Sequence, residues 1–344
     1  MTEHEVPIDA IREAEATLRG SVHRTPMLSS RTAASIAGER LDIRLGAGPL
    51  HDGVPRCFFK AEHLQVTGSF KVRGATNRAM RLTIEERARG VITASNGNHG
   101  QAVAYAGVAV GVPVTVVMPV VATQAKIAAA TGYGAHVVLH GLHFGEALAH
   151  AESLRDERGL VMIHPFDDPA VIAGQGTVGL EILEDLPMVD VVVVGAGGGG
   201  LIGGIASAVK AIRPTCRIYA VEPESSDALR RGVVAGHPVR ITPSSIADGL
   251  GAAAAGEWAL PIAARLVDGF IILGEPTIAR GTVFALERMK QLLEPAGAAA
   301  LAAVLAGQVP INDGETVVCV ASGGNVDLHR LAEIMALTEA QGDW

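Results

Sequence analysis

The chain reads as an α/β protein of about two domains, with parallel strands under packed helices. Three observations point there. Short apolar, β-branched runs alternate with Ala-rich helical patterns through most of the sequence, and that alternation implies βαβ units. A length of 344 residues suffices for two domains of ordinary size. Hydrophobic residues make up 49% of the chain but aromatics only 3%. The core must therefore be mostly Ala, Val, Ile and Leu, which suits strands buried on both faces.

Taken in order, the segment 44–56, with Gly46, Gly48, Pro49, Gly53 and Pro55, reads as an exposed hairpin or insertion. Ser69 is placed to cap a helix that begins near Phe70 and runs through Met80. A strand over 90–94 is followed by a helix over about 98–110, a strand over 112–118 and a helix over 124–131. A strand at 135–139, a helix through Ala149 and Leu154, and a closing run at 160–163 complete that block. A second block starts near Pro169. It contains a helix over 176–183, a strand over 189–194, a helix over 201–212 and a strand over 217–221. Helices over 278–293 and 298–305 and a strand over 316–321 follow.

Bulk properties exclude several classes. The formal net charge is -8 without a dense Lys/Arg stripe, so nucleic acid is not an expected partner. Cys57, Cys216 and Cys319 are far apart and keep no metal-ligand spacing, which fits a reducing compartment and gives no disulfide framework. The first residues are neither basic nor apolar, so no signal peptide is expected and the cytoplasm is the expected location. The uncharged stretch 191–209 is long enough to suggest a membrane span. Gly195 and Gly197 to Gly200 interrupt it, and a buried strand, a glycine loop and a buried helix explain it better. No membrane partner is expected, and the chain ends about twenty residues after Ser322, where no appended regulatory domain is expected.

Four segments carry chemistry. In the first, Gly195-Ala196-Gly197-Gly198-Gly199-Gly200-Leu201 follows an apolar strand and opens a helix. Its amides can converge on a phosphate at the positive end of that helix. A flexible tight turn is the plain alternative. A dinucleotide site is the sharper one, since Gly195, Gly197 and Gly200 satisfy G-x-G-x-x-G and Glu222 follows a later strand. The second segment holds Lys71, which sits in the first turn of its helix, where the helix dipole disfavours a protonated amine and makes a better nucleophile. A solvated surface lysine fits the flanking residues as well. In the third, Ser95-Asn96-Gly97-Asn98-His99 joins a strand to a helix whose N-terminus can receive a carboxylate. An Asn-Gly turn with a helix cap is the alternative. The fourth, Ser322-Gly323-Gly324-Asn325, follows a strand, and a serine hydroxyl facing a pyridine nitrogen would leave that ring neutral; a routine strand-to-helix turn is the alternative.

Together these segments resemble the fold-type II pyridoxal phosphate (PLP) enzymes, the tryptophan synthase β superfamily, in the serine/threonine dehydratase and serine racemase branch. The matching stretches are 67–75 around Lys71, 95–101, 172–177, 197–201, 221–223, 246–249, Glu294-Pro295 and 322–325, in order across roughly residues 10 to 335. The resemblance implies two open, twisted, mostly parallel sheets flanked by helices. A small domain over 89–166 would be inserted into a large PLP-binding domain formed by 1–88 and 167–344. It implies that Lys71 forms the imine with PLP and later moves the α-proton, with Phe70 beside the ring and Asn98 on the ring's O3′ oxygen. Gly197, Gly198, Gly199 and Gly200 with Leu201 would hold the phosphate, Ser322 would face the pyridine nitrogen, and Ser95, Asn96, Gly97 and His99 would receive the substrate carboxylate.

The implied reaction is β-elimination of water from L-threonine or L-serine, giving 2-oxobutanoate or pyruvate and ammonia, in a homodimer. Racemases of this branch carry a serine where Asn96 stands, which disfavours racemisation. Some relatives bind a divalent metal with a Glu and an Asp. Here Glu222 is present, but Ala228 stands at the second position and Asp227 is one residue early, so no metal is expected. His136, His140, His143 and His150 keep no ligand spacing on one helix and read as surface residues. The alternatives are a 3-hydroxyaspartate dehydratase or serine racemase of the same branch, a PLP-binding protein without turnover, and, more remotely, an NAD-dependent oxidoreductase.

Overall fold

The computed structural model describes residues 4–45, 54–95 and 97–338. Asn96 and the centre of the 44–56 segment therefore lie outside the described residues. The chain runs through α1 (Ile8–Leu18), β1 (Met27–Ser29), α2 (Arg31–Leu41), β2 (Cys57–Lys60), α3 (Lys71–Met80) and α4 (Ile84–Arg89). Alternation begins with β3 (Val91–Ala94), α5 (Asn98–Val110), β4 (Val114–Met118), α6 (Gln124–Gly132), β5 (His136–Leu139), α7 (Phe144–Arg158) and β6 (Val161–Met162). It resumes with α8 (Pro169–Asp185), β7 (Val191–Gly195), α9 (Gly200–Ile212), β8 (Arg217–Pro223), α10 (Ala228–Ala235), α11 (Ala259–Leu266) and β9 (Gly269–Leu273). The last elements are α12 (Glu275–Phe284), α13 (Pro295–Leu305), β10 (Val317–Val320) and α14 (Arg330–Ala336).

Among the described residues two sheets result, as expected. One has the order β1-β2-β10-β7-β8-β9 and the other β5-β4-β3-β6. Among the described residues β1 and β2 pair antiparallel and the remaining strand pairs are parallel. Alternation within each strand explains the layers, because successive side chains point to opposite faces. Val191, Val193, Val221, Val317 and Cys319 enter the core under α13. Val192, Val194, Ile218, Val318 and Val320 enter the core shared with α9. The small sheet divides likewise, with Val91, Val114 and Val116 on one side and Ile92, Ala94 and Val117 on the other.

The stretch 191–209 is a strand, a loop and a helix, and no helix of the described residues is long and apolar enough to cross a membrane. Three local expectations are corrected. Ser69 does not cap α3. Phe70 holds that position in helical conformation, while Ser69 forms an isolated bridge to Gly323 and its buried Oγ has no hydrogen-bond partner. Second, the helix expected over 176–183 starts at Pro169, because Asp168 caps it by accepting from Ala170 N at 2.7 Å and Val171 N at 3.1 Å. Third, the helix expected to reach 293 ends as α at Phe284. A π turn over Ala285–Met289 follows, and Lys290 closes it at φ +59°. Of the four histidines, His136, His140 and His143 are exposed and His150 is half-buried; His140 and His150 stack at 3.9 Å, and His143 precedes α7.

Candidate active site

The loop before α3 and the loop after β10 are laced together, which brings Lys71 beside Ser322. Phe70 N donates to Ser322 O at 3.1 Å, Gly324 N to Gly68 O at 2.9 Å, and Ser69 bridges Gly323. Lys71 opens α3, and its Nζ donates to Pro165 O at 2.7 Å, 5.2 Å from the centre of the Phe70 ring. Burial pulls the ammonium down to about 8, and only Glu294 opposes it. The helix position predicts a lowered value from the dipole; in the structure desolvation lowers it. Lys71 therefore reaches its neutral, nucleophilic form at a much lower pH than an ordinary lysine.

Behind the lysine lies a closed ionic network. Arg73, two residues along α3, donates from Nε and Nη2 to Glu62 at 2.8 Å each and to Glu181 from Nη1 at 2.6 Å and Nη2 at 2.9 Å. Lys60 Nζ also pairs with Glu181 at 2.6 Å and donates to Thr25 O at 2.6 Å. All four charged side chains are buried, with Arg73 only 1% exposed. Two cations facing two carboxylates keep the cluster neutral. It ties β2, α3 and α8 together, and it fixes the helix that carries Lys71.

The expected phosphate loop is built by close approach. A Cβ on Gly198 would collide with the Phe166 ring; on Gly200 it would fall 2.8 Å from Phe166 O, and on Gly197 2.8 Å from Leu250 O. Gly199 has φ +93°, a conformation that L side chains rarely adopt. The first helical bond of α9 runs from Gly203 N to Gly199 O. The amides ahead of it have no helical acceptor and face the positive end of the helix dipole.

The turn after β3 places Ser95, Gly97, Asn98 and His99 at the start of α5. Gly97 N donates to Ser95 Oγ at 3.2 Å. The His99 imidazole is turned away into the protein, with Nε2 2.9 Å from Ile163 O. A carbonyl only accepts, so Nε2 carries the proton, and burial together with Lys71 drives the ring down to about 3. His99 is thus neutral, and what it offers this turn is its backbone N–H. Asn98 Nδ2 donates to Glu294 Oε1 at 2.6 Å, and Asn98 Oδ1 accepts from Asn325 Nδ2 at 2.8 Å.

Burial and the nearby Asp248 raise Glu294 to about 8. The sequence had marked Glu294 and Asn325 only as parts of matching stretches, without a role. It gave no sign of Pro165, His164 or Phe166, which line up with the site only through folding. His164 Nδ1 accepts from Phe166 N at 3.3 Å and Asp167 N at 2.7 Å, which shapes the loop that meets both Lys71 and the glycines. The carboxylates of the suspected metal site are engaged elsewhere. Glu222 accepts from Leu229 N and Arg230 N at 2.9 Å each, and Asp227 pairs with Arg230 and Arg231.

Comparison with known proteins agrees with this geometry. The model of a family described as "Pyridoxal-phosphate dependent enzyme" matches residues 43–323. The chain belongs to that family. Its cofactor is pyridoxal 5′-phosphate. The residues of this pyridoxal-phosphate dependent enzyme fit such a group: a half-buried lysine whose value is lowered, a glycine cradle at a helix N-terminus and an amide with a polar neighbour on each side. An L-threonine ammonia-lyase of Geobacter sulfurreducens is 43% identical over 334 residues, 96% of this chain and 78% of that one. Among solved structures, maize serine racemase aligns with TM-score 0.86 and 36% identity, covering 96% of this chain and 97% of that one. The processed form of threonine deaminase isoform 2 from Solanum lycopersicum aligns with TM-score 0.87 and 34% identity, covering 96% and 88%.

Proposed function

We propose that this enzyme is an ammonia-lyase that eliminates water from L-threonine, and from L-serine as a second substrate, to give the 2-oxo acid and ammonia. The observation that carries the reading is the Lys71 amine, held at 2.7 Å by Pro165 O and lowered to about 8, beside the Ser322 loop. When bound, PLP supplies an aldehyde carbon on which amines condense and a conjugated ring that accepts the electrons of a broken Cα–H bond. Lys71 Nζ would be the amine that holds that carbon, and the base that takes the proton from the substrate α-carbon. Amides of Gly197 through Leu201 hold the phosphate at the N-terminus of α9. Phe70 would lie beside the ring, Asn98 would donate to its oxygen and the Ser322 hydroxyl would meet its nitrogen. The amides at the start of α5, from Gly97 to His99 beside Ser95, would receive the substrate carboxylate.

The site lies between a small domain, 89–166, and a large domain, 1–88 with 167–344, in our reading. The four strands of the second sheet fall within the first range. Three buried, unpaired thiols support a cytoplasmic location. A homodimer is the assembly we propose, on the resemblance alone. The test is 2-oxo acid release by PLP-loaded protein from L-threonine, L-serine, both 3-hydroxyaspartate diastereomers and the D-enantiomers. We expect 2-oxobutanoate and pyruvate from the L-hydroxy acids. Borohydride-fixed cofactor on Lys71 with no keto acid from them would refute the proposed substrates and leave the cofactor site standing.

A further inference from the structure

We infer that Asn325 and Glu294 are positioning residues that lock the Asn98 amide in one orientation, with its Nδ2 side turned to serve the cofactor oxygen. This rests on the reading that Asn98 meets that oxygen. An asparagine amide has two nearly isosteric orientations, and only one presents a donor. Here the choice is set by a chain of hydrogen bonds that starts at a backbone carbonyl. Thr67 O can only accept, and Asn325 Nδ2 donates to it at 2.8 Å. That fixes Asn325 with its NH2 group inward, where the same nitrogen donates to Asn98 Oδ1 at 2.8 Å. Asn98 is then obliged to turn Nδ2 the other way, where Glu294 Oε1 accepts at 2.6 Å. An amide nitrogen carries two hydrogens; Glu294 takes one and the other is left for the cofactor.

Both positioning side chains are seated on glycines. A Cβ on Gly68, at φ +74°, would collide with the Asn325 amide, and a Cβ on Gly323 would collide with Glu294 Oε1 and fall 3.2 Å from Asn98 Nδ2. Glu294 is buried, and its own N–H is bonded to Gly323 O at 3.1 Å. The chain therefore begins four residues before Lys71 and ends beside the Ser322 loop. The two parts of the sequence that would hold the cofactor also decide which atom Asn98 shows it.

The test uses holoenzyme variants with three readouts: the PLP dissociation constant, the ratio of the visible to the near-ultraviolet band of the Lys71-bound cofactor, and Tm. Asn325→Asp replaces the donor with acceptors, so the Asn98 amide reverses. We expect PLP to bind about tenfold more weakly, the scale of one lost hydrogen bond, and the band ratio to shift. Glu294→Gln keeps an acceptor oxygen and should retain both affinity and spectrum. Combining Asn98→Asp with Glu294→Gln reverses the polarity but leaves every partner satisfied. That pair should keep Tm near wild type while reproducing the affinity and spectral change, which a purely structural role would not do. Asn325→Asp with unaltered affinity and spectrum overturns the inference alone. A wild type in which borohydride fixes no cofactor overturns it together with the reading beneath it.

Discussion

Removing Arg73 should be among the most damaging single changes outside direct contact with the cofactor. Its guanidinium makes four hydrogen bonds to Glu62 and Glu181 between 2.6 and 2.9 Å in a site with almost no solvent access. Arg73→Met removes one cation from a balanced set and leaves the pair of carboxylates with Lys60 alone. Breaking a buried ion pair from one side costs about 3–5 kcal/mol, most of it from the stranded charge. Adding Glu62→Gln restores neutrality, with Lys60 and Glu181 still paired at 2.6 Å. The double variant should then be less destabilised than the sum of the singles by at least about 1 kcal/mol.

Arg73→Lys keeps the charge but cannot match two carboxylates at once, and should fall between wild type and Arg73→Met. The assay is equilibrium urea unfolding across pH. Glu62 is held below its ordinary value, chiefly by Arg73 against the pull of burial. Its contribution is therefore complete above the usual glutamate range and is lost as pH falls through the lower folded value. In Arg73→Met that carboxylate protonates more readily, so the deficit should shrink in acid. A loss under about 1 kcal/mol at pH 7, or singles that simply add, would refute the reasoning.

Other outcomes follow from the same geometry. Gly198→Ala drives a methyl group into the Phe166 ring, and a displaced phosphate loop should weaken PLP at least tenfold in a fluorescence titration; unchanged affinity would separate that loop from the phosphate. The rate at which apoprotein condenses with PLP should rise with pH through a midpoint near 8, since the reactive form of Lys71 is the neutral one. A midpoint above 10 in stopped-flow absorbance would contradict the burial argument. Asp168→Ala should cost about 1 kcal/mol in urea unfolding through the lost cap of α8. The thiols of Cys57 and Cys216, both raised to about 12 by burial, should stay unlabelled by an aromatic disulfide reagent until the protein unfolds.

Much of this molecule was legible in its sequence because period-two burial leaves a direct trace. The run Val191 to Val194 is apolar at every position because both its faces are covered, and the glycines after it mark where backbone must approach backbone. Other features leave no such trace. Lys60 ends β2 with a charge that would ordinarily argue against a buried strand, and Glu181, 121 positions on, together with Thr25 O makes it tolerable. Ser69 has the chemistry of a cap but lies one bridge away from Gly323, so tertiary pairing overrode the local preference. The amide relay through Asn325 and Asn98 joins residues 227 apart; local spacing cannot show it. The π turn after Phe284 likewise has no proline or glycine to announce it.

The strand order of the larger sheet has a consequence for how the enzyme comes into being. Strand β10 lies between β2 and β7, yet it is made after both. Until it leaves the ribosome, β1 and β2 cannot join β7, β8 and β9, and the sheet exists as two fragments with open edges. Pairings between such remote segments form late and slowly, and the exposed edges are where a chaperone would be needed. The delay also has a protective side. Lys71 is synthesised early, but Ser322 and Asn325, which complete its surroundings, arrive only behind that last strand. A nascent chain thus carries Lys71 without the burial that makes its amine reactive, and the site is completed only when the segment around Ser322 has been made.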